Sequence, residues 1–288
     1  MSEISAATVA KLRKITGQGM MDCKKALQDA SGDIDQAIEI LRKKGLATLT
    51  KRAERETSQG LVVSKSSEDG RTSALAMLCC ETDFVAKSDD FTTAAQTLTD
   101  FALACPADEG AENILETTLD GKKFNEILTE AVSKTGEKIQ VGDYTKYQLD
   151  GPGLICTYIH FNNKLGTMVQ IETNDENIAA AESLNRTAFD IAMHITATKP
   201  LALDKDGIES EIIEQEKAVF REQVKNKPPE IIEKIVEGKM KKFYTENCLL
   251  DQPFVKDDSK TVSELLNEVA KQIGGEAKIK RFARFEVG

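Results

Sequence analysis

The sequence predicts an α+β protein that has a small helical head, a body of two related units and an inserted helical hairpin. Three observations predict this class. Residues 5–45 carry apolar residues at helical spacing between glycine stops. Residues 60–83 and 153–174 each hold two apolar strands around a turn. Residues 208–243 form two charged helices with narrow apolar stripes, joined by a Pro-Pro turn.

The first 46 residues are predicted to form a bundle of three short helices. The first helix begins after a Ser5 cap and carries one apolar stripe, made of Val9, Leu12 and Ile15. The second helix lies in MMDCKKALQDASG, and the third, DIDQAIEILRKKG, is expected to stop at Gly45. Residues 47–59 then follow as a basic linker that is expected to be partly helical.

The body contains a weak internal repeat that predicts two subdomains. GLVVSKSSEDGRTSALAMLCCETD and GLICTYIHFNNKLGTMVQIETN each end in Glu-Thr-Asp/Asn, and helices are expected after them at 91–104 and 177–197. Two amphipathic helices are expected within residues 106–140. We therefore predict one subdomain over residues 60–145. The second covers 146–200 and 247–288, with AKIKRFARFEV closing its sheet, and an antiparallel helical hairpin or coiled coil is inserted at 201–246.

Composition and charge restrict the possible functions. The 288 residues carry a net charge of −10, which argues against a general nucleic-acid binder. Residues 1–55 hold 11 basic and 7 acidic side chains, whereas the remainder holds 27 and 41. A basic head on an acidic body indicates either two surfaces for one partner or simply a solvated helical face. No apolar run approaches the ~20 residues that span a bilayer, and the N-terminus resembles a helix rather than a signal peptide. We therefore expect a cytoplasmic protein.

No pattern in the sequence indicates catalysis, a cofactor or a metal site. The six cysteines form no C-x-x-C pair and are interpreted as buried apolar residues, and phosphate-loop and nucleophile-elbow motifs are missing. His194 lies on an apolar helix and is predicted to be a core residue. His160, beside the Asn162-Asn163 turn, is either a contact residue or a bystander. The sequence therefore predicts a binding protein and no enzyme.

The segment CCETDFVAK places an aromatic residue directly after a buried strand. Phe84 either folds back onto its own helix or is presented to a partner, and the sequence leaves both interpretations open. The second repeat has no aromatic residue after its Glu-Thr-Asn. Phe84 is therefore peculiar to the first unit.

The sequence resembles the bacterial elongation factor Ts family, the nucleotide exchange factors of the GTPase elongation factor Tu. The most specific segments are TGQGMMDCKKAL and CCETDFVAK. DIAMHITATKP, KPPEIIEKIVEGKMKKF, QPFVKDDSKTV and RFEVG also match, so the resemblance covers essentially the whole chain in the same order. Some members continue into a short C-terminal helical module that also touches the GTPase domain; the sequence departs from them in stopping at Gly288, which leaves that contact open.

The resemblance implies a function and a set of contact residues. The head would be a ubiquitin-associated-like (UBA-like) domain that packs on the GTPase domain of elongation factor Tu, with contacts made by Arg13, Met20 and Met21. The loop formed by Thr82, Asp83, Phe84 and Val85 would intrude beside the partner's magnesium site, and His160 would touch another domain of the partner. Phe84 is expected to act as a wedge that promotes GDP release, and Asp83 is expected to orient the loop by hydrogen bonds to backbone N–H groups.

Other interpretations of the sequence remain. A helical adaptor would bind a ubiquitin-like or other partner through residues 1–55 and would affect no nucleotide. An unrecognised acyl- or phosphotransferase would need a pocket of convergent ionisable groups. The projecting helical hairpin could also pair two chains as a homodimer. Neither direct nucleic-acid binding nor membrane binding is expected.

Overall fold

The computed structural model describes residues 4–288, apart from the side chains of Leu49 and Glu230, and it mixes helix and strand as the sequence predicts. The helices are α1 (Ala6–Thr16), α2 (Met20–Asp29), α3 (Ile34–Lys51), α4 (Asp83–Ala86), α5 (Asp89–Ala104), α6 (Ala111–Glu116), α7 (Phe124–Thr135), α8 (Glu176–Ala179), α9 (Glu182–Thr198), α10 (Ser210–Gln223), α11 (Pro229–Asn247) and α12 (Val262–Gln272). The strands are β1 (Gln59–Ser66), β2 (Thr72–Cys80), β3 (Thr118–Leu119), β4 (Lys122–Lys123), β5 (Ile139–Gln148), β6 (Gly153–Ile159), β7 (Leu165–Thr173), β8 (Pro253–Phe254), β9 (Asp257–Thr261) and β10 (Ala277–Glu286).

Helices α1 to α3 pack around a small core of their own. The Ser5 side chain accepts a hydrogen bond from the Thr8 N–H, which confirms the predicted cap. Val9 and Leu12 are buried in this core, but Ile15 is 55% exposed, so its assignment to the buried stripe was wrong. Each step of three residues falls about 60° short of a full helical turn, so two such steps place Ile15 roughly 120° around the helix from Val9.

Gly45 is not the end of the third helix, since α3 continues to Lys51. A Cβ atom at Gly45 would lie 2.7 Å from the Thr129 carbonyl oxygen and 3.0 Å from the Ser133 Cβ. The Ser133 hydroxyl also donates a hydrogen bond to the Leu41 carbonyl at 3.2 Å. Gly45 is therefore the point where α3 crosses α7 at close range, and the head is packed directly against the first subdomain.

Each half of the body contains a three-stranded antiparallel sheet. The strand order is β1-β2-β5 in the first sheet and β10-β7-β6 in the second, which confirms both hairpins and the closing strand. Strand β5 was not predicted: its first two residues lie in the segment 106–140 where helices were expected, and no element was predicted for the rest of it. Helices α5 and α7 cover one face of the first sheet, and α9 and α12 cover the second. The other faces of the two sheets meet in one apolar cluster: Val62, Leu75, Met77, Cys79, Tyr147, Met168 and Val287.

The helices of the second repeat, of residues 106–140 and of the inserted hairpin compare differently with their predictions. The helix expected over 177–197 is broken into α8 and α9, because residues 180 and 181 leave the helical path. Residues 106–140 hold the two expected helices, α6 and α7, with the small β3–β4 hairpin between them. In the inserted hairpin, Arg221 bonds Glu233 at 3.0 Å near the Pro-Pro turn, while Ile208 packs with Phe243 at the base. Helices α10 and α11 therefore run antiparallel.

Candidate partner-binding site

The segment after β2 is a single helical turn, α4, whose start is fixed by Thr82. The Thr82 side chain accepts a hydrogen bond from the Val85 N–H at 3.4 Å. Its own N–H and hydroxyl donate to the carboxylate of Glu137, at 3.0 and 2.7 Å. These bonds hold the first residue of the turn from both the backbone and the side chain.

Glu81 ties the same strand end to two other segments. Its carboxylate accepts hydrogen bonds from Arg52 at 2.7 and 2.9 Å and from the Lys138 N–H at 2.7 Å. Burial alone would raise the pKa of Glu81, but the Lys138 N–H and the Arg52 guanidinium together hold that pKa below its usual value. Glu81 therefore stays ionised and joins α3 to the base of α4.

Phe84 projects from this fixed turn into solvent. It is 82% exposed, whereas Ala86 is buried and Val85 packs against the core of the first subdomain. The interpretation in which Phe84 folds back onto its own helix is therefore wrong. The second residue of the corresponding turn α8 is Asn177, a polar side chain, so the second repeat presents no aromatic residue there.

Asp83 differs from the expectation for it. Its carboxylate accepts a hydrogen bond from Lys87 Nζ at 2.9 Å, and this contact lowers the pKa of Asp83. The cap that orients the turn comes instead from Thr82, whose hydroxyl oxygen accepts the hydrogen bond from the Val85 N–H. Asp83 is thus part of an exposed ion pair on the same face.

The three predicted contact residues of the head are all exposed. Arg13 lies at the end of α1, and Met20 and Met21 begin α2 with exposures of 57% and 74%. Lys134 connects this region to the body, because its side chain lies against Gly17 and its Nζ bonds Asp90 at 3.1 Å. The turn between α1 and α2 therefore lies beside the start of α5. Helix α5 begins five residues after Phe84.

His160 lies in the turn between β6 and β7 and is half-buried. Its Nδ1 is 2.9 Å from the Tyr158 hydroxyl, and its ring lies against Phe161 at a tilt of 53°; Phe161 is 87% exposed. Asn162 and Lys164 of this turn line the same groove of about 610 Å³ as Phe84. Phe161 was not predicted as a functional residue, although an aromatic residue directly before an Asn-Asn turn was a usable signal.

The remaining histidine and the cysteines are parts of the core. His194 is fully buried, and its Nε2 is 2.8 Å from the Gln252 side-chain oxygen, which confirms its prediction as a core residue. All six cysteines are free, and all but Cys156 are buried. Burial raises the pKa of Cys79 to about 11 and that of Cys80 to about 12. Within residues 4–288, no group of three or more His, Cys, Asp or Glu side chains is placed to hold a metal ion.

No helix between Ile4 and Gly288 combines the length and the apolar character that crossing a membrane requires. The features described above are exposed side chains on rigid supports, distributed over a helical head and a two-sheet body. Fold and site together define a class of protein that acts through surfaces presented to another macromolecule.

Comparison with known proteins identifies the family. A family model described as Elongation factor TS matches residues 81–288. The chain is 44% identical to the elongation factor Ts of Nitratiruptor sp., over 99% of this chain and 93% of that protein. It is 43% identical to the protein of the same name from Alkalilimnicola ehrlichii, over 99% and 92%, and 40% identical to that of Chlorobium phaeobacteroides over the full length of both. The chain belongs to the elongation factor Ts family.

Proposed function

We propose that this protein is the guanine nucleotide exchange factor of elongation factor Tu and that Phe84 acts as its wedge. Membership of the elongation factor Ts family implies nucleotide exchange on elongation factor Tu in translation elongation. The observation that supports the finer proposal is Phe84 itself, 82% exposed on a turn held by Thr82 and Glu81. Inserted near the Mg²⁺ and phosphate site of the GTPase, the ring shifts the elements that hold the ion and the phosphate in register.

Exchange of this kind requires no chemical step, only tighter binding to the nucleotide-free GTPase. By linkage, the factor weakens GDP binding as strongly as GDP weakens the complex. A bias of about 10⁴-fold corresponds to about 5.5 kcal/mol of differential binding, whereas burying one phenylalanine contributes about 1.5–3 kcal/mol. Other surfaces must therefore contribute, and we assign this role to the head and to His160.

Each part of the chain has a role in this exchange. Residues 1–46 act as a UBA-like domain that binds the GTPase domain through Arg13, Met20 and Met21. The linker at 47–59 joins this domain to the two subdomains at 60–145 and at 146–200 with 247–288. The helical hairpin at 201–246 exposes Val219 and Ile231, 49% and 47% accessible, which supports pairing of two chains through a coiled coil. The protein acts in the cytoplasm, where translation elongation takes place.

The test is release of a fluorescent GDP from elongation factor Tu, with the protein added below stoichiometry. We expect accelerated release with turnover, and we expect Phe84→Ala to slow it about 10- to 100-fold. Leu201→Ala is a matched control, because Leu201 is also an exposed apolar residue, 57% accessible, and lies at the base of the inserted helical hairpin. Release at the intrinsic rate with the folded protein would reject exchange activity and favour the adaptor function. Wild-type release by Phe84→Ala would reject the wedge alone.

A further inference from the structure

A row of aromatic rings runs along the surface at the turn between β6 and β7. The centroids of Phe161 and His160 are 4.4 Å apart, and Tyr158 bonds the His160 ring at 2.9 Å. Tyr158 in turn meets the edge of Phe189 at 5.5 Å, and Phe189 is 43% exposed. The outermost ring, Phe161, exposes 87% of its surface, slightly more than Phe84. Phe161 contacts the His160 ring and leaves most of its apolar area open to solvent.

The turn that carries Phe161 is rigidly connected to the first subdomain. His160 N–H donates to the Leu165 carbonyl at 2.9 Å, and Asn163 N–H donates back to the His160 carbonyl at 2.8 Å. The Asn163 carbonyl accepts a hydrogen bond from the Val62 N–H of β1 at 2.7 Å. Lys164 Nζ adds a bond to the Gln59 side-chain oxygen at 2.7 Å. Phe161 is therefore positioned relative to β1 by bonds that cross from one sheet to the other.

The same groove separates this turn from α4. Thr82 and Phe84 line one side, Asn162 and Lys164 line the other, and β1 contributes residues 59–61. Phe84 itself lines the groove, and Phe161, which does not, directly precedes the lining residue Asn162 in the chain. A macromolecule that covers Phe84 and fills this groove is in position to cover Phe161 as well.

We infer that Phe161 is a second aromatic anchor for the GTPase that receives Phe84 and that it inserts into an apolar pocket on a different part of that partner. This inference rests on the proposed function. Aromatic residues at the centre of an interface dominate many binding energies, and a ring that is already held in place loses little conformational entropy on binding. Phe84 is assigned to the nucleotide site, whereas Phe161 contributes equally whether or not the nucleotide is bound. Phe161 therefore sets the affinity of the complex, and Phe84 sets the rate of release.

The two roles are separated by measuring GDP release as a function of the concentration of the exchange protein. Removal of binding that is uniform between states raises the half-saturating concentration and spares the maximal rate. For Phe161→Ala we expect the half-saturating concentration to rise about 10- to 100-fold, with Phe161→Leu in between. Leu201→Ala, at another exposed apolar residue, is the control for loss of surface apolar area. Circular dichroism establishes that each variant is folded.

Each outcome decides between the inference and its alternatives. An unchanged half-saturating concentration for folded Phe161→Ala overturns the inference and leaves the proposed function intact. A fall in maximal rate like that of Phe84→Ala also overturns it, because Phe161 would then act on the nucleotide. If the wild type releases no GDP, the proposed function fails, and direct titration of nucleotide-free elongation factor Tu still tests the Phe161 contact. Phe161 could instead contact a second copy of the chain, and sedimentation of the protein alone tests this case. A wild-type dimer that the Phe161→Ala substitution dissociates would overturn the inference.

Discussion

The guanidinium of Arg52 donates hydrogen bonds to both carboxylate oxygens of Glu81, at 2.7 and 2.9 Å. Arg52 directly follows α3, whose earlier part belongs to the head, and Glu81 directly precedes the turn that presents Phe84. The pair therefore connects the head and the α4 turn, the two regions that we propose contact the partner. Glu81 is only 11% exposed at its side chain and Arg52 33%, so solvent screens this pair less than most ion pairs of the surface.

We expect Arg52→Ala to lower both stability and GDP release. Hydrogen bonds to a charged group contribute about 1.5–3 kcal/mol, and the partial exposure of Arg52 reduces the expected loss to about 1–2 kcal/mol. Urea denaturation measures this loss, and stopped-flow release measures the effect on the turn. Arg55→Ala is the matched control, since Arg55 lies 3.7 Å from Glu81, is 64% exposed and should contribute about 0.5 kcal/mol or less. Equal effects of the two substitutions would contradict the role of the Arg52 pair.

The Thr82 hydroxyl is expected to matter more than the Asp83 carboxylate for the shape of the turn. Thr82→Val keeps the size of the side chain but removes both the cap on Val85 and the bond to Glu137. Loss of a cap costs about 1 kcal/mol, and the unpaired acceptor on Glu137 adds to it. We expect lower stability and slower GDP release for Thr82→Val, and nearly wild-type values for Thr82→Ser. A Thr82→Ser protein as impaired as Thr82→Val would show that the methyl group, rather than the hydroxyl, is required.

Two glycines in helices should respond in opposite directions to alanine. Gly45→Ala places a Cβ 2.7 Å from the Thr129 carbonyl, and we expect a loss of about 1–3 kcal/mol as α3 is pushed from α7. Gly238, in α11, has no atom within 4 Å of a built Cβ, so Gly238→Ala should gain about 0.5–1 kcal/mol from helix propensity. Thermal denaturation compares the two variants. A stabilising Gly45→Ala would contradict the close helix crossing.

These residues also show what the sequence could and could not predict. The strands, the turns and the capped first helix follow from local patterns, because burial on one face imposes a period that is visible in the chain. Gly45 was misinterpreted as a helix stop, because a glycine that allows close packing and a glycine that ends a helix look alike until the partner helix is known. Strand β5 was missed because its neighbour β2 lies about 60 residues earlier in the sequence.

The candidate site was predictable in part. The segment around Phe84 stood out by its residues, but its exposure depends on the contacts of Thr82 and Glu81 with Glu137 and Arg52, which are remote in sequence. Phe161 was overlooked because its rigidity comes from bonds of its turn to β1 of the other sheet. Local pattern thus identified the chemistry of the side chains, and tertiary contacts decided which of them face a partner.

Stability should fall in mildly acidic solution because of His194. Burial lowers the pKa of this histidine from its ordinary value of 6.5, although the hydrogen bond to Gln252 opposes the shift. Val255 N–H donates to Nδ1 at 3.3 Å, so the neutral ring carries its proton on Nε2, and protonation of Nδ1 would break that contact. The unfolded chain therefore binds the proton more readily than the native protein. The contribution of His194 to the free energy of unfolding is fully present above pH 6.5. It is lost as the pH falls from 6.5 towards the lower pKa of the native protein.

The difference between wild type and His194→Gln isolates this effect from the titration of the carboxylates. Urea denaturation between pH 7.5 and pH 5 gives the slope, which for one proton reaches at most about 1.4 kcal/mol per pH unit. The variant should be less stable than wild type at pH 7.5, because it loses the packed imidazole ring. Because glutamine does not titrate, the variant should lose less stability on acidification. The two curves should therefore converge as the pH falls below 6.5. Parallel curves would show that His194 takes up its proton equally in both states and that its burial leaves no thermodynamic trace.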